Sequence, residues 1–116
     1  MTTEYGQEVE QMIQDSNPTG PRVSLEDFNA NITDVEVFKV ITKTGKIMRW
    51  AVLTTKSGFP VTGNPSVAVS KENDRPNIGE KIAVDNAKEK LWELMGYELS
   101  CRIHKANSLS VPLTQV

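Results

Sequence analysis

The pattern of apolar and polar positions between residues 77 and 105 predicts a helix that leads directly into a strand. On the helix, four apolar residues recur at spacings of four, four and three and so share one face: Ala83, Ala87, Leu91 and Leu94. Asn77 is the predicted N-cap, and Gly96 is expected to end the helix because glycine turns left-handed at no steric cost. From there the pattern alternates with a period of two, which predicts a strand with one inward set: Tyr97, Leu99, Cys101 and Ile103.

The first thirty residues predict two short helices separated by a linker. Residues 1–16 have the spacing of a short amphipathic helix, which either lies on its own domain or is exchanged as an arm between protomers. A cluster of helix-breaking residues over 17–21 is the expected linker. Ser24 is the predicted cap of a second helix that runs to about Ile32.

Three antiparallel strands are predicted between this helix and the long one. The strands cover residues 35–42, 47–55 and 60–70, and β-branched residues are frequent in them. Gly45 occupies the first connecting turn, where a positive φ is needed, and residues 56–59 form the next turn. The middle strand is nearly continuous in apolar residues around Trp50, which predicts a central position in the sheet.

These elements together predict an α+β fold. It consists of an antiparallel-rich sheet of about four strands with one long helix across one face, plus short N-terminal helices. We expect an N-terminal arm and linker over 1–20, a single domain over 21–104 and a C-terminal tail over 105–116. The other face of the sheet then requires a cover, either the N-terminal helices or a second protomer. Ile78 and Ile82, on the outer side of the long helix near Trp92, leave the same two alternatives open.

Composition narrows the class of protein. The chain of 116 residues has room for one modest core, and its 13 basic and 15 acidic residues give a net charge of −2. This balance argues against broad binding to duplex nucleic acid, which needs a basic excess. The single cysteine cannot form an internal disulfide, and no apolar run approaches the length of a membrane span.

The sequence contains no pattern that predicts catalysis. On a strand, Cys101 and His104 would lie on opposite faces, so they could form neither a catalytic pair nor part of a zinc site. Cys101 is expected in the core and His104 in solvent. Asp85, Glu89 and Glu93 recur every four residues and are expected on a solvated helix face. We therefore predict that the protein is not an enzyme and uses no cofactor or metal.

Anion binding is the one chemistry that the residues favour. The N-terminus of the long helix offers free N–H groups and the positive end of the helix dipole, with Lys71, Arg75 and Lys81 nearby. Residues 63–66 form a second polar segment that contains a glycine. Aromatic side chains could stack on bases if they are exposed. Ordinary surface charge and core aromatics remain the alternative interpretation.

An ordered series of short motifs resembles a family of small proteins of tailed phages. The segments are Pro21-Arg-Val-Ser24, Val52-Leu-Thr-Thr-Lys-Ser-Gly-Phe59, Val61-Thr-Gly-Asn-Pro-Ser66, Ile78-Gly79, Ala83 with Asn86-Ala87, and Leu91-Trp-Glu-Leu-Met-Gly-Tyr97. The family pattern is roughly PRVT, then LTLxNGFxVxGxSA, then IGxxxAxxxAxxxIWxLxGYxL. The similarity covers about residues 21 to 103.

This resemblance implies a phage accessory protein of the host bacterial cytoplasm. Such proteins are often counter-defence factors, and some are oligomeric sponges that sequester the cyclic nucleotides of bacterial immunity. The leading hypothesis is therefore a dimeric or tetrameric sponge that uses basic residues for phosphates and aromatics for bases. The alternative is a protein–protein inhibitor of a host or defence enzyme, and nucleic-acid binding is disfavoured by the net charge.

The ligand-binding residues expected under this hypothesis are Arg22, Arg49, Trp50, Asn64, Ser66, Arg75, Tyr97 and Arg102. Arginine is preferred because its planar fork binds phosphate at two points and can stack on a base. Arg22 is the first choice, since neither core packing nor helix capping requires an arginine there. Its alternative role is an ion pair with Glu26 or Asp27.

Overall fold

The computed structural model describes residues 20–110 together with the isolated positions 8, 11 and 12. Its elements follow in the order α1 (Leu25–Asn31), β1 (Ile32–Ile41), β2 (Ile47–Thr55), β3 (Pro60–Thr62), β4 (Ser66–Val67), a 3₁₀ turn (Lys71–Asn73) and α2 (Pro76–Ser110). The predicted α+β class, with a four-stranded sheet and one long helix, is confirmed. The helix predicted over 1–16 lies outside the described residues apart from those three positions.

Helix α1 begins where its cap was predicted. The Ser24 Oγ accepts a hydrogen bond from the Asp27 N–H at 3.0 Å, which satisfies one of the unpaired donors of the first turn. Phe28 is the buried residue of this helix, and its ring stacks on Trp92 with centroids 4.1 Å apart and planes 3° from parallel. Trp92 is therefore covered by α1 and belongs to the core rather than to an outer patch with Ile78.

Strand β2 lies at the centre of an entirely antiparallel sheet. It pairs with β1 along one edge and with β3 and β4 along the other. Gly45 and Gly58 both have φ of 87° in the connecting turns, which confirms the prediction for Gly45. The strand predicted over 60–70 is instead broken into β3 and β4. The break falls at Gly63, whose backbone lies against the carbonyl group of Asn86 on α2, so the chain leaves the sheet there.

The core fills the space between α2 and one face of the sheet. Its fully buried members are Phe28, Ala51, Leu53, Val61, Ala83, Ala87 and Leu91. The two alanines of α2, Ala83 and Ala87, let the helix approach the sheet closely. The shared apolar face of the long helix predicts burial of both Leu91 and Leu94 against the sheet. Burial of Leu91 is confirmed, whereas the prediction for Leu94 is wrong, because this side chain is 41% exposed at the end of the sheet.

The opposite face of the sheet carries apolar side chains that no described element covers. Phe38 and Val40 of β1 are 49% and 42% exposed, and the register places them opposite Trp50 and Met48. This surface, called the open face below, consists of Phe38, Val40, Met48, Trp50, Val52 and Val67. The prediction that the middle strand is central is confirmed, but its described cover lies on one side only.

Helix α2 does not end at Gly96, and the strand predicted from Tyr97 is wrong. The helix runs without a break to Ser110, so the fourth strand of the sheet is β4 instead. A glycine inside a helix costs only about 1 kcal/mol relative to alanine. An apolar series at four-residue spacing, Leu91, Met95, Leu99 and Ile103, continues through it and outweighs that cost.

This longer helix changes the surroundings of several residues. Cys101 is exposed rather than inward-facing. Asp85, expected in solvent, is only 4% exposed. The helix also begins at Pro76, so Asn77 lies inside the first turn and is not the cap; proline suits the first helical position because its missing N–H would have no partner there. None of the helices in the part of the chain described has the length and apolar character of a membrane span.

Candidate functional site

A groove of about 530 Å³ lies between the first turns of α2 and the strand pair β2–β4. Its wall residues come from four separate parts of the chain. The residues that determine its chemistry are Arg49, Ser66, Asp74, Arg75, Ile78 and Ile82. Three of the eight predicted ligand residues, Arg49, Ser66 and Arg75, therefore share one concave surface.

Arg49 is buried at the base of this groove and is bound by a carboxylate. Its Nη1 and Nη2 donate to Oδ1 and Oδ2 of Asp74 at 2.6 and 3.0 Å, a bidentate ion pair. This hydrogen bond raises the pKa of Arg49 above its ordinary value and holds the pKa of Asp74 below its ordinary range. The pair ties the 3₁₀ turn before α2 to the central strand.

Close packing around Arg49 fixes the start of α2. The Ser66 hydroxyl donates to the Gly79 carbonyl oxygen at 2.7 Å, and the Gly79 N–H donates to the Arg75 carbonyl oxygen at 2.9 Å. A Cβ on Gly79 would lie 3.0 Å from the Nη1 of Arg49, so glycine leaves room for the guanidinium group. The groove is thus built on a rigid base rather than on a loop.

Arg75 is the accessible cation of the groove. Its Nη1 donates to the carbonyl oxygens of Glu72 and Asp74 at 3.2 and 3.1 Å, and the residue is exposed. These bonds orient the guanidinium group without neutralising its charge. Because Arg49 and Asp74 cancel each other, Arg75 together with the N-terminus of α2 gives the groove a positive end.

A second, smaller cavity of about 300 Å³ brings Arg22 and Arg102 together. Asp27 and Glu98 line the same cavity, so its two arginines face two carboxylates. The Nε of Arg102 donates to Oε2 of Glu98 at 2.6 Å, one helical turn away. The cavity is therefore close to electrically neutral, in contrast to the groove at the start of α2.

The other three predicted ligand residues lie apart from both cavities. Trp50 belongs to the open face of the sheet. Asn64 uses its main-chain carbonyl oxygen to accept a hydrogen bond of 3.0 Å from Nδ2 of Asn86, which fixes the loop between β3 and β4 on α2. Tyr97 is 73% exposed on α2 beyond the sheet. A single chain thus does not bring the predicted aromatics to the predicted cations.

The prediction that Cys101 and His104 lie on opposite faces is wrong, because both residues are on helix α2 and not on a strand. Three residues apart on a helix, they lie on neighbouring positions of one side. Both are exposed, and the thiol instead interacts with Tyr97, whose pKa this hydrogen bond raises. Within the described residues no group of three His, Cys, Asp or Glu side chains is placed to hold a metal ion.

Sequence reasoning missed two residues, Asp74 and Asp85. The signal for Asp74 was present, because Arg49 occupies an inward position of an alternating strand and a buried cation needs a nearby carboxylate. Asp85 offered no such signal. Burial raises the pKa of its carboxyl group, with Lys81 and Lys88 opposing the rise, and its Oδ2 has no hydrogen-bond partner in the described structure.

The fold and the groove define a small α+β protein with a preformed polar cavity beside a helix N-terminus. Over residues 23–103 the chain matches the Phage protein (N4 Gp49/phage Sf6 gene 66) family. This match spans most of the chain, including every strand and the groove, and the protein therefore belongs to that family. No curated protein and no solved structure shows a significant match to the chain.

Proposed function

We propose that this phage protein sequesters a cyclic-nucleotide signal of bacterial immunity, without catalysis, in the cytoplasm of the host. The observation that carries the proposal is the groove at the start of α2. It gathers Arg49, Ser66 and Arg75 from distant parts of the chain into a concave surface of about 530 Å³, within the size range of small-molecule sites.

The phosphates of such a ligand would bind at the positive end of the groove. Arg75 supplies an exposed guanidinium group, and the first turn of α2 supplies N–H groups and the helix dipole. Arg49 would act indirectly, since both of its terminal nitrogens already bind Asp74. In this proposal Arg75 contacts the phosphates, and Arg49 stabilises the base of the groove without contacting the ligand.

The nucleoside parts would lie along the apolar wall of the groove. Ile78, Ile82, Pro65 and Val67 line this wall and offer contacts to sugar and base faces without sequence-specific hydrogen bonds. Aromatic stacking would have to come from elsewhere, because Trp50 and Tyr97 do not line the groove. A second protomer is the natural source, so the proposal includes a homo-oligomer in which subunits complete the pocket.

A protein–protein inhibitor is the second candidate, and one observation favours it. Ile78 and Ile82 are 54% and 43% exposed on the rim of the groove, and exposed apolar side chains of this kind are found where proteins bind. In this case the groove would receive a side chain or loop of a host or defence enzyme instead of a nucleotide.

A thermal-shift panel distinguishes these candidates. The purified full-length chain is heated with cyclic dinucleotides, cyclic trinucleotides, ADP-ribose and, as controls, their linear counterparts. A ligand at a concentration one hundred times its Kd should raise Tm by roughly 10 °C. No shift with any nucleotide, together with capture of a host protein, would favour the inhibitor.

Two variants then locate the site. Arg75→Ala should weaken binding at least tenfold with an unchanged Tm of the free protein, whereas the matched control Arg22→Ala should bind as the parent does. The opposite result would assign binding to the second cavity with Arg22 and Arg102. Isothermal titration calorimetry measures both affinities and the number of ligands per chain.

A further inference from the structure

We infer that two copies of this chain form a symmetric dimer in which the end of each α2 covers the open face of its partner's sheet. The inference concerns a surface other than the groove and does not depend on the proposed nucleotide ligand. Its test needs no nucleotide, so the failure of one proposal is distinguishable from the failure of the other.

The first observation is that α2 continues beyond its own sheet. Leu91 is its last fully buried residue, and the cavity between Leu94, Glu98 and the turn at Phe59 marks the end of the sheet. Residues 97–110 are called the distal segment below, and those from 97 to 109 are exposed apart from the half-buried Leu99 and Ile103. At a rise of 1.5 Å per residue this segment is about 21 Å long.

The second observation is the direction in which the distal segment presents apolar side chains. The face of α2 that carries Ala87 and Leu91 is continued, in steps of three or four residues, by Leu94, Tyr97, Cys101, Lys105 and Leu109. Tyr97 and Leu109 are 73% and 77% exposed. The helix therefore carries its sheet-facing side past the point where its own sheet ends.

One symmetry operation brings the distal segment of each copy onto the open face of the other. A two-fold axis in the plane of the sheet and perpendicular to α2 places two sheets end to end and turns one over. Each α2 then has its own sheet under its first half and the open face of the partner's sheet under its distal segment. Because the operation is a two-fold rotation, both contacts form at once and the assembly closes as a dimer.

Charge favours this occupant of the open face. The ionisable residues on that side of β1 are Asp34 and Glu36, both acidic. The distal segment brings Lys105 on the facing side, whereas the charge of Arg102 is already paired with that of Glu98. Residues 1–19, the other part of the chain available as a cover, contain four acidic residues and no lysine or arginine, so they would place like charges together.

The size of the contact suits a reversible dimer. In each contact a strip about 21 Å long and about 10 Å wide is buried on the helix and on the partner's sheet. Two reciprocal contacts then bury roughly 800 Å² in total, which is the size of a weak interface. The dimer would thereby cover the six apolar side chains of the open face and the exposed Tyr97 and Leu109.

Cross-linking between different variants tests this arrangement directly. Val40→Cys and Leu109→Cys are made separately, each with Cys101→Ser so that no other thiol is present, and the two proteins are mixed under mild oxidation. We expect a disulfide between the two variants in high yield. The matched control replaces Leu109→Cys with Glu89→Cys, an exposed position on the opposite side of α2, and should give only background cross-linking.

Sedimentation velocity and a charge exchange supply the second readout. The parent should sediment as a dimer at micromolar concentration, Lys105→Glu should weaken dimerisation at least tenfold, and adding Glu36→Lys should restore most of the loss. A parent with the mass of one chain overturns the inference and leaves residues 1–19 as the cover. A dimer that shows neither the cross-link nor the restoration also overturns it, because its interface lies elsewhere.

Discussion

The two faces of strand β2 have similar apolar content and opposite surroundings. On one side, Ala51 and Leu53 are buried under α2, with Leu53 fully inaccessible to solvent. On the other side, Trp50 and Val52 alternate with them along the same strand but are only half-buried, and their neighbour Phe38 is half exposed. Alternation alone thus does not tell which face of a central strand forms the core of a single chain.

The two faces differ in the elements of the chain that pack against them. The covered face meets small residues, Ala83 and Ala87, which bring α2 close and complete a well-packed core. The open face meets no described element and ends in the acidic pair Asp34 and Glu36. A strand that is apolar on both sides therefore indicates a second partner for the sheet, and the chain itself supplies the first.

The largest expected effect is the loss of packing on the covered face. Leu53→Ala should lower the free energy of unfolding by ~2–5 kcal/mol, because it removes a fully buried side chain and leaves a cavity between sheet and helix. Urea unfolding followed by circular dichroism measures the change. Leu91→Ala, on the helix side of the same contact, should give a loss in the same range.

The matched control for Leu53 is its neighbour on the open face. Val52→Ala should cost about 1 kcal/mol or less at protein concentrations where the chain is monomeric. Equal losses for the two variants would contradict the comparison, since they would mean that both faces are packed to the same degree within one chain.

An intermediate effect is expected where the sheet approaches α2 most closely. Gly63→Ala would drive a methyl group into the main-chain carbonyl of Asn86, and backbone cannot move aside as a flexible side chain does. We expect a loss of about 1–3 kcal/mol in the free energy of unfolding, measured by the same urea titration. Gly20→Ala, where the added methyl meets no atom within 4 Å, is the control and should change stability by less than about 0.5 kcal/mol.

A further effect, which depends on pH, is expected from the ion pair that joins the sheet to the start of α2 at the groove. The folded state holds the pKa of Asp74 below its ordinary value of about 3.9, so its contribution is complete above that pH and is lost as pH falls through the lowered pKa. Asp74→Asn should therefore destabilise the protein at pH 6 and should matter progressively less as pH falls below about 4.

Thermal unfolding between pH 6 and pH 2 measures this dependence, with Arg49→Gln as the reference background. In that background the additional change Asp74→Asn should lose its pH dependence, because the bidentate partner is absent. A pH dependence that persists without Arg49 would assign the effect to another carboxyl group.

The local sequence determined those features of the fold that depend only on residues close together in the chain. The cap at Ser24, the positive φ at Gly45 and Gly58, and the small-residue face of the long helix follow from side-chain size, hydrogen-bonding groups and spacing. Two polar residues of the groove were also recognisable, since Arg75 stands beside a predicted helix start and Ser66 in a polar glycine-containing segment. The family resemblance is likewise a property of the sequence alone, and the family match bears out a phage protein.

Tertiary structure decided between alternatives that the local sequence patterns supported equally well. Residues 97–104 satisfy both a period of two and a period near four, and the continuous helix wins because its hydrogen bonds and the series through Leu99 and Ile103 outweigh one glycine. The same holds for Arg49. Its sequence position suggested a ligand, and only the fold brings Asp74, twenty-five residues away, to both of its nitrogens. Which cation is neutralised and which face is covered depends on long-range contacts, and these are formed only when the whole domain folds.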